Sequence, residues 1–422
     1  GVHQCQITYR GMPRSEGIKE RSCFNPILSD RIRKPANVTA TNGSRQIIPK
    51  TLIHKVISSP QVTFYGSGAI MTTVEDQFKK YQYPIPKEEG GTEIHMMWTD
   101  SPCRTTCWNG GFETVEAMKN PKIECVVVQH PWMENDCVLA DIILPVSTTF
   151  EVEDIVTNTR EGVQFQSVQL QKQAIQPIGE SKSDFEVVCE IAKQFGLLDE
   201  VTEGVTTEDL EKSVFNVMGL GDFTTWEQFK EKEYFVFPID KDWESDPAGL
   251  IKFYKDPVAN PLSTPSGKLE FYSERLAKYF PDDQERPPIP HWVENSETHS
   301  ERLSSERSKE YPLLMMSNHG RWRVHAQCDD ISWTREVMTC KVKGWDGYLY
   351  EPLWIHPSDA AKRDIKNGDI VKTYNQRGIV LCGAIVWERI MPGVVYVDHG
   401  SRCDFIVPEK VDRGGAIDLI SP

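Results

Sequence analysis

The chain has 422 residues, 39% hydrophobic and 26% charged, and 47 Lys and Arg against 62 Asp and Glu leave a net charge of −15. This length leaves room for about two or three domains, and the composition is too apolar for disorder. The acidic balance excludes sequence-independent nucleic-acid binding, which needs a positive surface to replace counterions, but it allows an anionic ligand held by local Arg and backbone N–H groups. No run approaches the ~18 apolar residues of a transmembrane helix. Gly1–Arg10 lacks both a starting Met and the basic-then-apolar pattern of a signal peptide. The chain therefore reads as cut from a longer one, with any export signal upstream and a cytoplasmic setting expected. The eleven Cys are scattered and odd in number, which suggests reduced thiols and not a disulfide framework. Cys103 and Cys107 are four apart with no second close pair, so spacing predicts no metal site within the chain.

Residues 1–50, rich in Pro, Gly and Arg, read as an irregular wrapping segment. Residues 51–150 alternate. Thr51–Ser58 has helical spacing, Glu93–Trp98 is a short apolar run, Gly111–Asn120 is helix-like, Ile123–Gln129 is β-branched, and Asp141–Pro145 is again apolar. That succession predicts a Rossmann-like parallel sheet, whose ligands sit beyond the carboxyl ends of the strands at Trp98–Pro102 and Gln129–Pro131. Residues 151–310 are a mixed α/β segment and linker. It holds helices at Asp184–Phe195 and Thr225–Glu233, a turn at Thr264–Gly267 leading into an alternating strand at Lys268–Tyr272, and a Pro-rich stretch at Asp282–Pro290. Residues 311–422 are mostly β, with strands at Tyr311–Met316, Ile370–Tyr374, Ile379–Trp387 and Gly393–Val397. Turns at Asn367–Asp369 and Asn375–Gly378 and a short helix at Pro357–Lys362 complete them, and His356 reads as the cap of that helix. Short strands and tight turns around a small helix predict a closed β-barrel.

Four segments carry a resemblance. They are Val126–His130 followed by Ala140–Pro145 and Glu151; Thr264–Ser273; Ser317–Gln327; and Trp354–Ala360 with Asn367–Val371, Asn375–Gly378 and Met391–Val395. In this order and spacing they resemble the C-terminal half of the large subunit in the dimethyl sulfoxide reductase family of molybdopterin enzymes. The resemblance implies an α/β architecture, a Rossmann-like cofactor domain followed by a double-psi β-barrel. It implies molybdenum held by bis(molybdopterin guanine dinucleotide), a protein ligand to molybdenum supplied by an N-terminal half, and iron–sulfur clusters in a small partner subunit of an anaerobic heterodimer. Arg321–Gln327, Gly347–Pro352 and Asp398–Arg402 look most like the branch that transfers hydroxyl between polyphenols, pyrogallol to phloroglucinol, without net redox. The alternative within the family is an oxyanion, sulfoxide or polysulfide reductase; outside it, a scaffold that has lost its cofactor. Trp98–Pro102 replaces a Gly-Gly-Asn-Pro loop of many relatives, His130 replaces their Asp, and Ala326 replaces the Ser of several.

Such a cofactor needs donors for its diphosphate, an acceptor for guanine, and flat polar partners for its pterins. The candidates at the sheet are Trp98, Asp100, Ser101, Pro102, Gln129, His130 and Asp141. Ser101 and Pro102 read equally as turn chemistry, and Asp141 as a cap beside a strand. His319, Arg321, Arg323, His325 and Gln327 alternate, so an extended backbone points all of them one way and leaves Trp322, Val324 and Ala326 to pack; the competing reading is a solvated edge strand. Asn375 and Gln376 reach a pterin or form a hairpin turn, and His399 lines the pocket or is a structural strand-end histidine. No nucleophile elbow, P-loop or zinc-protease motif is present, so no catalytic residue and no metal ligand is assigned.

Overall fold

The computed structural model describes residues 46–67, 74–100, 102–158, 167–238, 250–291 and 306–421. They form two compact units, residues 46–145 with 274–421, and residues 146–273. The predicted wrapping segment lies almost wholly outside the described residues.

In the first unit, the antiparallel hairpin of β1 (Val62–Tyr65) and β2 (Lys80–Tyr83) packs Phe64 and Tyr83 against Val56 of the Ile53–Ser58 helix. Next come β3 (Met96–Thr99), β4 (Cys125–His130) and β5 (Ile142–Pro145), a parallel sheet in the order β3-β4-β5. The continuous apolar run of β4 marks a strand buried on both faces, and Val126 to His130 are all buried. The Gly111–Met118 helix is apolar on two sides. Ala117 and Met118 meet the parallel sheet, while Phe112 and Val115 enter the core of the C-terminal strands. A Cβ on Gly111 would lie 2.7 Å from Leu419 Cα and 2.3 Å from Thr105 O, so only glycine lets the helix start this close to the chain's last turn.

The second unit opens with β6 (Asp154–Asn158) and β7 (Ser167–Gln171) and adds β8 (Tyr234–Val236), all antiparallel. Helices Thr207–Val217 and Trp226–Lys232 start at capping boxes, Thr206 with Asp209 and Thr225 with Gln228. They bury Phe215, Trp226 and Phe229 on Val168 and Leu170. The helix predicted at Asp184–Phe195 runs over Asp184–Gln194 from a Ser183 capping box. The turn at Thr264–Gly267 forms, with Gly267 at φ 68°. The strand predicted after it does not: Lys268–Tyr272 pairs with no described strand, and Leu269 and Phe271 stand exposed. Alternation supplies a face, but a strand also needs a neighbour for its N–H and C=O groups.

Returning to the first unit, β9 (Leu314–Met316), the hairpin β10 (Val342–Lys343) and β11 (Leu349–Tyr350), β12 (Pro352–Ile355), β13 (Ile370–Asn375), β14 (Gly378–Val386), β15 (Val394–Val397), β16 (Phe405–Val407) and β17 (Val411–Asp412) follow. A seven-stranded mixed sheet runs β16-β17-β14-β12-β15-β9, with β13 on β14. β14 is long enough to pair with β13 over Gly378–Gly383, with β17 near its start and with β12 over Gly383–Val386. The result is a mixed α/β chain with a small parallel sheet and a curled many-stranded sheet. His356 caps the Pro357–Ala361 helix, accepting the Ser358 N–H as predicted. Among the described residues no helix is long and apolar enough to cross a membrane.

Each unit has its own core. Phe229→Ala is expected to cost about 3–5 kcal/mol. Hydrogen exchange should show lost protection in β6 and β7 while the β12–β14 ladder stays protected.

Candidate functional site

The carboxyl ends of the parallel strands meet a loop of the C-terminal sheet. Gln129 and His130 end β4, both buried. Gln129 Oε1 accepts the Trp98 indole N–H at 3.2 Å. His130 Nε2 lies 3.2 Å from Glu134 Oε1, which also accepts the Cys328 N–H at 3.2 Å. Asn135, left-handed at φ 53°, donates its side-chain amide to Ala326 O and accepts from Thr106 Oγ1 at 3.0 Å. Asp136 accepts the Arg104 and Thr105 N–H groups at 2.9 and 3.1 Å and so caps the Arg104–Cys107 helix from a distant segment. The 130–136 loop thus clamps the Arg104–Cys107 helix to the Ala326–Cys328 turn.

The His319–Gln327 segment is not the extended ribbon predicted. It is a succession of bends, with Val324 and Gln327 bridged across a turn and His325 at φ 53°. The alternation therefore breaks. Arg323 is buried, Ala326 is buried, and Val324 is 64% exposed where a packed residue was expected. The reason is the Arg323 guanidinium. It donates to Asp329 Oδ1 at 2.7 Å, to Glu351 Oε2 at 3.2 Å and to His399 O at 2.9 Å. Lys341 Nζ completes the group, at 3.1 Å from Asp329, 2.6 Å from Glu351 and 3.1 Å from Ser401 Oγ. A buried charge must find partners, so Arg323 turns inward and twists its neighbours off the strand path. It anchors the loop and is not available to a cofactor.

That anchor gathers the imidazoles. His319 and His399 form an isolated parallel bridge, and the His399 N–H donates to Asn318 O at 2.8 Å. The rings of His319, His325 and His399 pack with centroids 4.4, 5.0 and 5.7 Å apart. Gly400, at φ 81°, lies against the His325 carbonyl, which a Cβ there would meet at 2.0 Å. Asp418 Oδ2 is 2.9 Å from His399 Nδ1, close but poorly aligned for a hydrogen bond, and His399 Nε2 is buried without a partner. The Cys107 thiol faces the same cluster. Its hydrogen bond to Cys103, then burial, push its pKa up, and the Ala326 N–H points at its sulfur. Beside the cluster, His319, Arg321, Trp322, Trp354, Trp387 and Asp398 line a cavity of about 420 Å³, where the Trp354 and Trp387 rings lie 4.7 Å apart.

Other predicted residues sit elsewhere. Ser101 lies outside the described residues. Asp100 is exposed, and Pro102 is buried beside the Asp136 N–H. Asp141 accepts the Val126 N–H at 2.7 Å, so it belongs at the amino end of β4, across the sheet from Gln129. That is the capping role weighed against guanine binding. Asn375 accepts the Arg377 N–H within the hairpin and donates to Ile420 O at 2.8 Å, and Gln376, in the hairpin turn, accepts from Arg307. Asn375 also faces a second cavity of about 620 Å³ with Asp418 and Tyr374. Cys107, Glu134, Asn135, Glu351 and Asp418 went unpredicted. None lies in a local pattern, and only the fold brings them together.

Glu351→Gln leaves the two cations of the buried group facing one carboxylate, and should cost about 3–5 kcal/mol in denaturant titration. Arg321→Gln, on the exposed side of the same loop, should change stability by less than about 0.5 kcal/mol. Burial raises the Asp329 pKa, but Lys341 and Arg323 outweigh it and hold the carboxyl well below its usual range. Its stabilisation is therefore full above the unfolded carboxylate value near ~4 and is lost as pH falls from there through the lower folded value. Asp329→Asn should flatten the acid limb of a stability-versus-pH curve.

Comparison with known proteins fits this geometry. Residues 71–194 match the molybdopterin oxidoreductase family, and residues 313–419 match the molydopterin dinucleotide binding domain. The pyrogallol hydroxytransferase large subunit of Pelobacter acidigallici is 29% identical over 420 residues, 92% of this chain and 47% of that protein. Dimethyl sulfoxide reductase of Escherichia coli is 32% identical over 71% of this chain and 35% of its own length. A trimethylamine-N-oxide reductase of Haemophilus influenzae is 31% identical over 77% and 38%. The solved acetylene hydratase from Pelobacter acetylenicus shares the fold, with a TM-score of 0.52 at 18% identity over 77% of this chain and 40% of that one. The chain spans less than half the length of these relatives. It belongs to the molybdopterin oxidoreductase family.

Proposed function

We propose that this chain is the cofactor-gripping C-terminal part of a molybdenum enzyme, and that the whole enzyme moves hydroxyl between polyphenols, pyrogallol to phloroglucinol, without net redox change. The observation that carries the cofactor reading is the convergence, within one unit, of the β4 strand end with the imidazoles of His319, His325 and His399. The residues suit a flat, polar, phosphorylated heterocycle. His399 Nε2 is a buried polar atom awaiting a partner. Arg321 and His319 border an aromatic cavity of about 420 Å³, inside the roughly 300–1,000 Å³ span of small-molecule sites. When bound, molybdenum bis(molybdopterin guanine dinucleotide) supplies the redox-active metal and the pterin electronics.

The chain's own residues bind and orient. Arg321 offers a planar donor fork for phosphate or a pterin carbonyl. His319, His325 and Gln327 present ring nitrogens and an amide to the pterin edge. Gln129 and Trp98 set the wall at the β4 end, and the clamp of Glu134 and Asn135 holds that wall to the loop. In this reading the seven-stranded sheet is the core of a double-psi β-barrel over residues 311–422, and residues 51–150 are the Rossmann-like domain. An upstream half supplies the molybdenum ligand, a small iron–sulfur subunit is the partner, and the setting is cytoplasmic. Hydroxyl transfer is favoured over reduction because the hydroxytransferase likeness extends over 92% of the chain, against 71% and 77% for the reductases.

The test is anaerobic purification of the whole enzyme. Molybdenum together with GMP released by acid hydrolysis, and conversion of pyrogallol with no external electron acceptor, are the expected results. Dye-linked reduction of a sulfoxide or N-oxide without phenol turnover would replace hydroxyl transfer by the reductase reading. Absence of molybdenum and GMP would overturn the cofactor reading.

A further inference from the structure

We propose that Cys107, His325 and His399 form a binding site for a zinc-class divalent ion, oriented by Asp418. Their ligand atoms, one from each side chain, all lie within 4.8 Å of one another. They come from distant parts of the sequence: the Arg104–Cys107 helix, the turn after Arg323, and the end of β15. Each is held in place by contacts within the fold. Asp136 caps the short helix. The Ala326 N–H points at the Cys107 sulfur. Gly400, next to His399, lies against the His325 carbonyl, and Arg323 holds His399 O at 2.9 Å.

The donor set is one thiol and two imidazoles, the chemistry of zinc and cobalt and not of calcium or magnesium. A small rotation would give His399 the outer carboxylate partner that metal-ligating histidines carry. Asp418 Oδ2 lies 2.9 Å from Nδ1, which favours the tautomer with the proton on Nδ1 and leaves Nε2 as a lone-pair donor. That Nε2 is buried and without a hydrogen-bond partner. An ion about 2.0–2.3 Å from nitrogen and sulfur needs donors roughly 3.3–3.7 Å apart, so side-chain rotations of about 1 Å close the site. Cys107 and His399 are partly buried and His325 is exposed, giving the ion a way in. A water supplies the fourth position. Binding replaces the Cys107 S–H bond by a sulfur–metal bond and releases one proton, with no change in oxidation state.

This inference does not rest on the molybdenum cofactor. The two readings share His325 and His399, so cofactor and zinc-class ion would compete for them.

The full chain, reduced and stripped by a chelator, should take up one equivalent of Co²⁺. The spectrum should show intense visible bands of a tetrahedral site and a near-ultraviolet thiolate-to-cobalt band, both bleached by Zn²⁺. Cys107→Ser should remove the thiolate band, and Asp418→Asn should weaken Co²⁺ binding about 10- to 100-fold. The His356→Ala variant, altered at a remote helix cap, should bind as the unmodified chain does. A weak octahedral spectrum from the unmodified chain, or a thiolate band that survives Cys107→Ser, would overturn the proposal. Because the coordination geometry is read from the unmodified chain, a variant that fails to fold leaves the test intact. The titration is made on chain free of molybdenum and GMP, so failure of the ion site and failure of the cofactor reading are seen separately.

Discussion

The buried group of Arg323, Lys341, Asp329 and Glu351 is the constraint on which the candidate site depends. All four side chains are almost fully removed from water, where an unpaired charge is costly. Two cations and two carboxylates therefore have to meet, and their meeting fixes three pieces of backbone at once. These are the bend after Arg321, Glu351 just before β12, and the His399–Ser401 turn, which Arg323 and Lys341 hold through His399 O and Ser401 Oγ. Hydrophobic strands of similar size could be as stable, but they would not dictate which loop lies against which. Here the charges give the loops an address.

A second constraint joins the two sheets of the first unit. The Gly111–Met118 helix exposes only Glu113 and Glu116 and buries the rest of its surface. One side packs on β4 and the other on the C-terminal core beside Leu419. The parallel sheet and the curled sheet are therefore held at a fixed separation by side-chain volume. The clamp of Glu134, Asn135 and Asp136 then closes the gap at the strand ends. Apolar packing sets the spacing, hydrogen bonds set the register, and the imidazole cluster lies where the two meet.

The fate of individual polar residues shows how context divides chemically equal groups. Arg321 and Arg323 are two apart and equivalent in the sequence pattern; one is exposed and the other is saturated inside. Asp141 and Glu134 are both acidic loop residues near β4. Asp141 is occupied by a backbone N–H at the amino end of the strand, whereas Glu134 stands at the carboxyl end with Oε2 buried and unpartnered. Position along the strand, and not residue type, separates structural from functional candidates.

By itself the sequence determined the elements whose signal is local. The β-branched run of β4, the strand–helix–strand succession around it, the Asn375–Gly378 hairpin and the His356 cap all follow from periodicity and turn chemistry within a few residues. The family membership was likewise written in motif order. Only the tertiary structure decided what long-range partners decide. Alternation at His319–Gln327 promised a ribbon, but a buried guanidinium needing carboxylates from Asp329 and Glu351 bent it into turns. Alternation at Lys268–Tyr272 promised a strand that found no described neighbour. Spacing around Cys103 and Cys107 gave no hint of His325 and His399, because residues more than two hundred positions apart become neighbours only through the fold. Local patterns report the conformations a segment prefers, and burial of charge and pairing of strands choose among them.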